Sequence, residues 1–594
     1  MVRIVRARTA WCIVLVTSLF AGASGCILGN FEIEGALGGG GIAGGGSAGA
    51  SFAGMGSAGI GGSAGGVSRI SPPTLVADRY VMLQGTTLVR DAAAGLLAND
   101  TPVNLSVTGF TNVDPSRPRL FDADMTLERD GSFRFTPKPR FFGTYKLSYT
   151  AENQVGIRAT SDIEIRVVPS EIDLDAIVVG IGGYVLYGAK SEALGAVLDG
   201  AGDVNGDEVS DLLIGAPNAN SGDGAAYVVF GKTDLDSVDV EPVSLGSKEK
   251  RFLCVLGAPA EKLGSSVAGL GDVDGDELGD LAIGASGENG RVYVTQARDL
   301  SVVNRLPLAH GYSIAGDSAN VAVGRLLEAG GDLDGDGVPD ALVSALNGST
   351  GWLHLPFGDP ELTGQLGVTG LPGAHVRGAV EGDAFPLDAA FVGDLDGDGG
   401  DEVLAASNTA FYLFSGNGGF PVDAGAATVG GTRGNYRAAR VAEGSASVTG
   451  LGDVNGDSAK DFAYCDGTAA CTVVFAPIAT LAQGTPVYGF TRDAQRLSVR
   501  GGGDVDGDGL SDILFSDDQS AYVVYGNRAG LLPTDVSKLG QNGFSIIPAS
   551  GGTITAASIV GDVNGDGIDD LAIADAAADD GNGRVYVVFG LSSR

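Results

Sequence analysis

Seven short segments of this chain carry oxygen-bearing side chains at alternate positions, a spacing that can do chemistry. Each segment spans nine residues, with Asp at positions 1 and 5, Asp or Asn at position 3, and Asp or Glu at position 9. The segments, called loops one to seven below, begin at Asp203, Asp272, Asp332, Asp394, Asp453, Asp504 and Asp562. Carboxylates gathered in one tight loop repel one another unless a cation lies between them. The spacing therefore predicts seven cation sites.

Calcium suits this ligand set best among the common cations. It takes six to eight oxygen ligands at about 2.3–2.6 Å, whereas magnesium demands strict octahedral geometry and keeps its waters. We expect position 7 to add its backbone carbonyl and the position-9 carboxylate to close the cage. The expected ligands are Asp203, Asn205, Asp207, Val209 and Asp211 in loop one, Asp272, Asp274, Asp276, Leu278 and Asp280 in loop two, Asp332, Asp334, Asp336, Val338 and Asp340 in loop three, Asp394, Asp396, Asp398, Gly400 and Glu402 in loop four, Asp453, Asn455, Asp457, Ala459 and Asp461 in loop five, Asp504, Asp506, Asp508, Leu510 and Asp512 in loop six, and Asp562, Asn564, Asp566, Ile568 and Asp570 in loop seven.

Glycine at position 4 of every loop supports a tight wrap around an ion. Glycine adopts backbone angles that are closed to other residues, and such a wrap needs one of them. Position 6 is also glycine in four loops, but Glu208, Glu277 and Ser458 replace it in loops one, two and five. We expect the turn to differ in those three loops.

Asparagine at position 3 lowers the charge of three loops. Asn205, Asn455 and Asn564 stand there in loops one, five and seven. Loop five combines Asn455 with Ser458 at position 6, so we expect it to bind calcium most weakly. Glu402 is the only glutamate at position 9.

The loops recur within a longer repeat. Apolar runs of β type flank each loop, as in Asp211–Gly215 and Asp570–Ile573, which excludes the helix-flanked EF-hand. Loop starts lie between 51 residues apart (Asp453 to Asp504) and 69 residues apart (Asp203 to Asp272). That period suits a four-stranded blade with its connections. The sequence therefore predicts an all-β fold in which residues 172–594 form a seven-bladed β-propeller.

The short motifs of these repeats resemble those of the FG-GAP repeats in the integrin α-subunit propeller. Gly215-Ala216-Pro217 follows loop one, Phe230-Gly231 ends that repeat, and Phe589-Gly590 ends the last one. The resemblance implies calcium loops on one face of a seven-bladed propeller and a role in adhesion or recognition. Integrin ligand recognition is not carried over, because no matching ligand motif occurs here.

The order of strands predicts how the ring closes. A strand such as Arg251–Gly257 precedes each later loop, and an equivalent, Gly183–Gly188, precedes loop one. Nothing comparable follows Phe589-Gly590. We therefore expect the N-terminal strand to complete the seventh blade.

The N-terminus has the layout of an export signal. Arg3, Arg6 and Arg8 precede a short apolar run, and small residues then lead to Cys26. The signal peptide is predicted over residues 1–25, and Ala23-Ser24-Gly25-Cys26 resembles the bacterial lipobox, which implies lipidation of Cys26 and attachment to a membrane. Simple secretion is the alternative. Residues 26–70, rich in Gly, Ala and Ser, are predicted to form a flexible tether.

Residues 71–169 are predicted to form a small β-sandwich. Short alternating runs such as Ser132–Phe135 and Tyr145–Tyr149 are separated by turn signals. The segments Gly95–Pro102 and Asp130–Asn153 resemble bacterial cadherin-like and Ig-like surface domains, which usually act as spacers or adhesive modules. Asn99-Asp100 is interpreted as a turn, since one such pair does not make a calcium cage.

The overall charge and the histidines exclude some functions. Asp and Glu number 73 against 37 Lys and Arg, giving a formal charge of −36 that would repel nucleic acid. His310, His354 and His375 have no second His or Cys at metal-ligand spacing, so no histidine site is expected.

The cysteines beyond Cys26 have structural interpretations. Cys465 and Cys471 flank a short hairpin, and we expect them to form a disulfide in an oxidising compartment. Cys254 is expected to be a buried thiol in a strand.

A calcium-binding surface protein for adhesion or recognition, without catalytic residues, is the function that these patterns favour. The ligand would be an unidentified protein or polysaccharide at the cell surface. An extracellular hydrolase or lyase on a propeller scaffold, or a passive envelope scaffold, remains an alternative. The acidic pairs Asp517-Asp518 and Asp579-Asp580 are interpreted as solvated hairpin tips rather than as glycosidase carboxylates.

Overall fold

The computed structural model of this chain is almost entirely β-structure. It describes residues 3–7, 10–14, 71–112, 123–233, 243–244, 252–287, 290–296, 303–305, 311–316, 321–347, 350–356, 358–359, 362–378, 382, 384–395, 397–408, 410–416, 436–439, 446–467, 470–476, 487–491, 497–530 and 532–591. Two compact units comprise Met1–Arg69 and Ile70–Arg594. In the first, β1 (Arg3–Ala7) and β2 (Ala10–Val14) form an antiparallel hairpin. The rest of the predicted signal peptide, Cys26 and the tether lie outside the described residues.

A β-sandwich begins the second unit, in agreement with the sequence. One sheet has the order β3 (Asp78–Leu83), β9 (Arg158–Val168), β8 (Gly143–Glu152), β5 (Ser106–Asn112), and the other has the order β4 (Leu88–Arg90), β7 (Phe133–Thr136), β6 (Asp124–Leu127). Alternation along β8 turns Tyr145, Leu147 and Tyr149 into the core, where they meet Phe135 and Ile165. The two faces pack as the alternating sequence predicts.

Seven sheets of four antiparallel strands follow among the described residues, and each contains one acidic loop. From first to fourth strand they are blade one, β12 (Val197–Gly202), β13 (Asp211–Ala216), β14 (Ala225–Val229) and β16 (Phe252–Leu256); blade two, β17 (Leu263–Gly271), β18 (Asp280–Ala285), β19 (Arg291–Thr295) and β21 (Tyr312–Ala315); blade three, β22 (Val321–Gly331), β23 (Asp340–Asn347), β24 (Thr350–Pro356) and β26 (Gly373–Arg377); blade four, β27 (Asp388–Gly393), β28 (Glu402–Ala406), β29 (Ala410–Phe414) and β30 (Tyr436–Ala439); blade five, β31 (Ser447–Gly452), β32 (Asp461–Cys465), β33 (Ala470–Val474) and β34 (Val487–Thr491); blade six, β35 (Ser498–Gly503), β36 (Asp512–Ser516), β37 (Ala521–Val524) and β38 (Gly543–Ile547); and blade seven, β39 (Ala556–Gly561), β40 (Asp570–Asp575), β41 (Arg584–Val588) and β11 (Gly183–Tyr187).

Four blades carry a fifth, short strand parallel to the fourth. These strands are β20 (Val303–Arg305) in blade one, β25 (Gly364–Gly367) in blade two, β10 (Glu171–Asp173) in blade six and β15 (Val243–Ser244) in blade seven. Among the described residues, helical structure is limited to α1 (Leu174–Val178), α2 (Ala219–Gly222), α3 (Ala578–Gly581) and a 3-10 turn at Val368–Gly370. Within the described residues, no helix has the length and apolar character needed to cross a membrane.

The first strands of the blades form a closed inner ring. Each contacts the first strands of both neighbouring blades, and β39 of blade seven contacts β12 of blade one. The second strands lie next to them and are covered on both faces by adjacent blades. This explains why a segment such as Asp211–Ala216 is a continuous apolar run, buried at every position, after its initial acid.

The expected closure of the ring is confirmed. β11 pairs antiparallel with β41, from Gly183 opposite Val588 to Tyr187 opposite Arg584. The sequence did not indicate that β10, just before it, would join blade six by pairing with β38. The N-terminal segment of the propeller therefore contributes strands to two adjacent blades.

The sandwich and the propeller also share a packed junction. The Phe142 side chain, 1% exposed, packs with Ile172, Ile177 and Val185 of the propeller. Gly182 leaves room for that ring, because a Cβ there would lie 2.1 Å from it. Arg140 forms an ion pair with Asp173 beside the junction.

Deletion of residues 172–188 tests the closure. We expect the free energy of unfolding to fall by at least about 4 kcal/mol, because Tyr184 and Leu186 each contribute roughly 2 kcal/mol through burial. Hydrogen exchange should accelerate most in Arg584–Val588, whose fourth-strand partner is lost. Ala225–Val229 of blade one keeps its partner and serves as the internal control; equal acceleration in both strands would contradict this closure.

Candidate metal centres

All seven acidic loops connect the first strand of a blade to the second, so they lie at one end of the inner ring. A β-bulge precedes the loops; in blade one it falls between Gly200 and Gly202. Such a bulge bends the chain and re-aims the residues that follow it. Asp203 then accepts hydrogen bonds from the backbone N–H groups of Gly206 (2.7 Å), Asp207 (3.1 Å) and Glu208 (2.7 Å). The first carboxylate thus organises the loop that follows it.

The same wrap recurs around the ring. Position 1 accepts from positions 4, 5 and 6 in loops two, three, four, five and seven, and from positions 5 and 6 in loop six. In every loop the position-7 N–H donates to the position-5 carboxylate. The loops therefore share one backbone geometry.

The prediction for position 4 is confirmed, and the prediction for position 6 is wrong. Position-4 glycines have φ between +69° and +78° in all seven loops. Glu208, Glu277 and Ser458 at position 6 also adopt positive φ, of 66°, 70° and 72°, as the glycines there do. Their N–H groups must still reach the position-1 carboxylate, so the turn is kept at a cost of about 1 kcal/mol or more for a residue with a Cβ.

The position-9 acid is buried in every loop, with exposure between 0% and 3%. In all seven loops one of its oxygens accepts the N–H of position 2, at 2.6 to 3.0 Å. In blades one, three, four, five, six and seven, an N–H just beyond the third strand donates to the other oxygen. One carboxylate thereby joins the loop, the second strand and the end of the third.

The hydrogen bond from beyond the third strand to the position-9 acid explains why Phe-Gly ends the first and the last repeat. The donor just beyond the third strand is Gly231 in blade one and Gly590 in blade seven. A Cβ at Gly231 would lie 2.2 Å from the carbonyl oxygen of Ser210, and one at Gly590 would lie 2.3 Å from that of Asp569. In these two blades glycine is required because the chain passes directly against position 8 of the loop.

Burial without a basic partner perturbs these acids. Desolvation raises the pKa of Asp211 and Asp461 to about 7 and that of Asp340 to about 6, against the hydrogen bonds that lower it. Desolvation also raises the pKa of Asp512 and Asp570. Among the described residues, no lysine or arginine forms an ion pair with any of these five. A buried carboxylate needs a compensating cation or a proton.

Three loops bring three carboxylates to one point. Ligand oxygens lie within 4.8 Å of one another for Asp272, Asp274 and Asp276, for Asp332, Asp334 and Asp336, and for Asp504, Asp506 and Asp512. In loop three, the Oδ1 atom of Asp334 is buried and has no hydrogen-bond partner. An oxygen in this state among other carboxylates fits a hard cation such as calcium.

The asparagine loops arrange position 3 in two ways. The amides of Asn205 and Asn564 point to position 9, with Nδ2 at 3.4 Å and 3.3 Å from the oxygens of Asp211 and Asp570. Asn455 in loop five instead donates to Asp457, at 3.1 Å. Asp396, at position 3 of loop four, lies outside the described residues.

Position 8, absent from the predicted ligands, links neighbouring loops. Its N–H donates to the position-1 carbonyl of the preceding loop around the ring, in the pairs Ser210 to Asp562 (3.1 Å), Gly279 to Asp203 (2.7 Å), Asp401 to Asp332 (2.7 Å), Ser511 to Asp453 (2.9 Å) and Asp569 to Asp504 (2.9 Å). Pro339 holds position 8 of loop three and has no N–H to donate. Five of the seven junctions between the candidate metal loops therefore carry this bond, and within the described residues it is missing between loops two and three and between loops four and five.

The structure shows one histidine contact that the sequence did not indicate, and it corrects the interpretation of Asp517. His354 and His375 face each other across β24 and β26, with their Nδ1 atoms 2.7 Å apart, although 21 residues separate them. Asp517 is a buried residue rather than a solvated tip, and it accepts the N–H groups of Gln519 and Ser520 in its own turn. Asp579 forms an ion pair with Arg584.

The cysteines of the propeller lie in strands. A disulfide joins Cys465 of β32 to Cys471 of β33, which are directly opposite each other. Cys254 of β16 is buried, as expected.

Comparison with known families agrees with both parts of the fold. Residues 70–166 match the bacterial Ig domain, and residues 263–295 match the FG-GAP repeat. The chain is 30% identical to integrin alpha-7 of Rattus norvegicus over 149 residues, which is 24% of this chain and 12% of that protein. It is 27% identical to integrin alpha-PS5 of Drosophila melanogaster over 172 residues, 26% of this chain and 15% of that protein.

These relatives are much longer than the region they share with this chain. Integrin alpha-2 of Bos taurus matches at 28% identity over 19% of this chain and 9% of its own length. The crystal structure of BBS1N in complex with ARL6DN covers 70% of this chain and 96% of its own at 11% identity and a TM-score of 0.38, and that of rhamnogalacturonan lyase YesW covers 87% and 92% at 13% identity and a TM-score of 0.35. Likenesses this loose carry no functional conclusion.

Proline in place of Ser210 tests the link between loops. The change removes the N–H that donates to Asp562, and Pro339 shows that position 8 accepts proline in this chain. We expect a loss of about 1 kcal/mol in the free energy of unfolding, the contribution of one hydrogen bond. Ser210→Ala keeps the N–H and is the control. Equal melting of the two variants in urea would show that the link contributes nothing.

Proposed function

We propose that this protein is an exported, calcium-binding surface protein whose propeller serves adhesion or recognition. The observation that carries the proposal is the convergence of carboxylates in loops built alike at one end of the ring, each closed by a buried position-9 acid. The FG-GAP match and the similarity to integrin α-subunits favour recognition over other uses of a propeller.

The calcium ions would be structural. Their ligands come from the loop between the first and second strands, and position 9 also anchors the end of the third strand. An ion there stabilises the blade in which it sits by binding only the folded state. It also relieves the repulsion among carboxylates that the folded loop brings together.

The expected function needs no catalytic residues. Asp517 is held in its own turn, and Asp579 is paired with Arg584, so neither is placed as a free acid. An extracellular hydrolase or lyase is the weaker candidate, because it rests on loose likenesses alone. A passive envelope scaffold differs from an adhesin only in whether a face of the propeller binds a partner.

Export and membrane attachment belong to the same proposal. The lipobox-like Ala23-Ser24-Gly25-Cys26 and the Gly-rich residues 26–70 would hold the Ig-like domain, residues 71–169, and the propeller, residues 172–594, away from a membrane. The partner would be a protein or a polysaccharide at the cell surface. The disulfide between Cys465 and Cys471 fits an oxidising compartment outside the cytosol.

Calorimetric titration of the mature chain with calcium tests the metal sites. We expect about seven ions in the propeller, one per loop, and a large fall in Tm on chelation. Loop five should bind calcium most weakly. Asn455 replaces the position-3 carboxylate found in loops two, three, four and six, and its amide donates to Asp457, the position-5 ligand. Asn455→Asp should therefore tighten binding more than Asn205→Asp does. Binding of one ion or none, with unchanged melting, would refute calcium in the loops.

Attachment assays distinguish adhesion from a scaffold role. The hairpins between second and third strands lie at the end of the propeller opposite the calcium loops, because the strands are antiparallel. Alanine at exposed Asn220, Asp518 and Asp580 in these hairpins should reduce cell attachment in calcium at least several-fold. Glu208→Ala with Glu277→Ala, on the calcium face and outside the ligand set, is the control. Attachment unaffected by either set would favour the scaffold.

A further inference from the structure

Two acidic side chains lie buried in the Ig-like domain, far along the chain from the propeller loops. Asp78 at the start of β3 is 6% exposed, and Asp100 is 5% exposed. The Oδ1 atom of Asp100 accepts the Val76 N–H at 2.8 Å, and its Oδ2 atom accepts the Tyr149 hydroxyl at 2.7 Å. Both oxygens of Asp100 are therefore engaged by the folded domain.

The hydrogen bonds of Asp78 fall on one oxygen, although the Tyr149 hydroxyl that donates to Asp100 also lies near this carboxylate and lowers its pKa. The Oδ1 atom of Asp78 accepts from the Asn99 amide at 3.2 Å and from the Tyr80 hydroxyl at 3.4 Å. Its Oδ2 atom is buried and has no hydrogen-bond partner. Leaving a buried carboxylate oxygen without a partner costs stability, because water no longer solvates it. The missing partner must supply positive charge or a proton.

The surroundings hold negative charge and oxygen atoms but no basic partner. Asp78 and Asp100 repel each other, and no lysine or arginine among the described residues forms an ion pair with either. The carbonyl oxygens of Val76 and Leu96 lie within 3.4 Å of the Tyr149 hydroxyl that also contacts Asp100. Buried carboxylates together with backbone carbonyls are the ligands that calcium prefers.

We propose that Asp78 and Asp100 hold a calcium ion inside the Ig-like domain, separate from the seven propeller sites. The Oδ2 atom of Asp78 is the ligand that has no other role, and Asp100 supplies the second carboxylate. The ion would join the segment around Val76 to the turn at Asn99-Asp100, which an antiparallel bridge between Thr74 and Thr101 already connects. The dipeptide Asn99-Asp100 offers too few ligands for calcium by itself. The fold places Asp78 beside it and so supplies a second carboxylate.

A proton is the competing occupant. Burial, with the charge of Asp100, raises the pKa of Asp78 to about 7, so without an ion Asp78 would hold a proton near neutral pH. The two occupants make opposite predictions for Asp78→Asn, which keeps the shape and removes the charge. Loss of a calcium ligand removes an ion, whereas loss of a proton from Asp78 changes no ion count.

The test is the difference in bound calcium between the mature chain and its Asp78→Asn variant, measured by equilibrium dialysis at 1 mM calcium, on the order of extracellular concentrations. We expect the variant to bind one ion fewer and the exposed Asp162→Asn control to match the parent. Because the result is a difference, it does not depend on how many ions the propeller binds. An unchanged count, with a higher Tm of the variant at pH 8, assigns the pair to a proton and overturns the proposal.

Hydrogen exchange of the unmodified chain provides a second test, which applies even if the Asp78→Asn variant does not fold. Calcium should slow exchange of the Val76 and Thr101 amides at least tenfold relative to chelator, while Phe133–Thr136 in the same domain changes little. Equal exchange of Val76 and Thr101 with and without calcium would also overturn the proposal.

Discussion

The propeller depends on one buried carboxylate in each blade. The position-9 acid accepts the N–H of position 2 in its own loop in all seven blades, and in six of them it also accepts an N–H beyond the third strand, as Asp211 does in blade one. In those six blades it fixes three segments at one point. Burying it in an ionised state demands a compensating charge. The same residue that orders the blade thus creates the need for a cation, and the remaining acids of the loop gather where that cation would lie. The position-9 carboxylate therefore serves both the architecture of the blade and its candidate cation site.

Local patterns of the sequence predicted the parts of the fold that depend on neighbouring residues. The acid spacing and the apolar runs predicted loop-flanking strands, and the missing last strand predicted the role of Gly183–Tyr187. Position 6 was mispredicted because residue type was taken to decide backbone angle, whereas Ser458 is held at positive φ by the hydrogen bond of its N–H to Asp453. Residue type therefore does not decide the backbone angle where several hydrogen bonds of the loop already fix it.

Apart from the ring closure, side-chain contacts between residues far apart in sequence left no pattern from which they could be predicted. His354 meets His375 only because β24 and β26 pair in that register, and a shift of one residue would turn their side chains to opposite faces. Asp78 becomes a partner of Asn99 through the packing of the sandwich. The link from position 8 to the preceding loop is made by backbone atoms, which leave no trace in side-chain identity except at Pro339.

The strands that close the ring also set how the propeller would carry a mechanical load. The chain enters from the sandwich through β10, which pairs with blade six, and continues through β11, which pairs with blade seven. Tension along this path would be borne by the hydrogen bonds of both strands, those of β10 with β38 and those of β11 with β41. A pull on the sandwich would then load the seam where β11 pairs with β41, next to the blade in which β10 gives the same segment a second attachment.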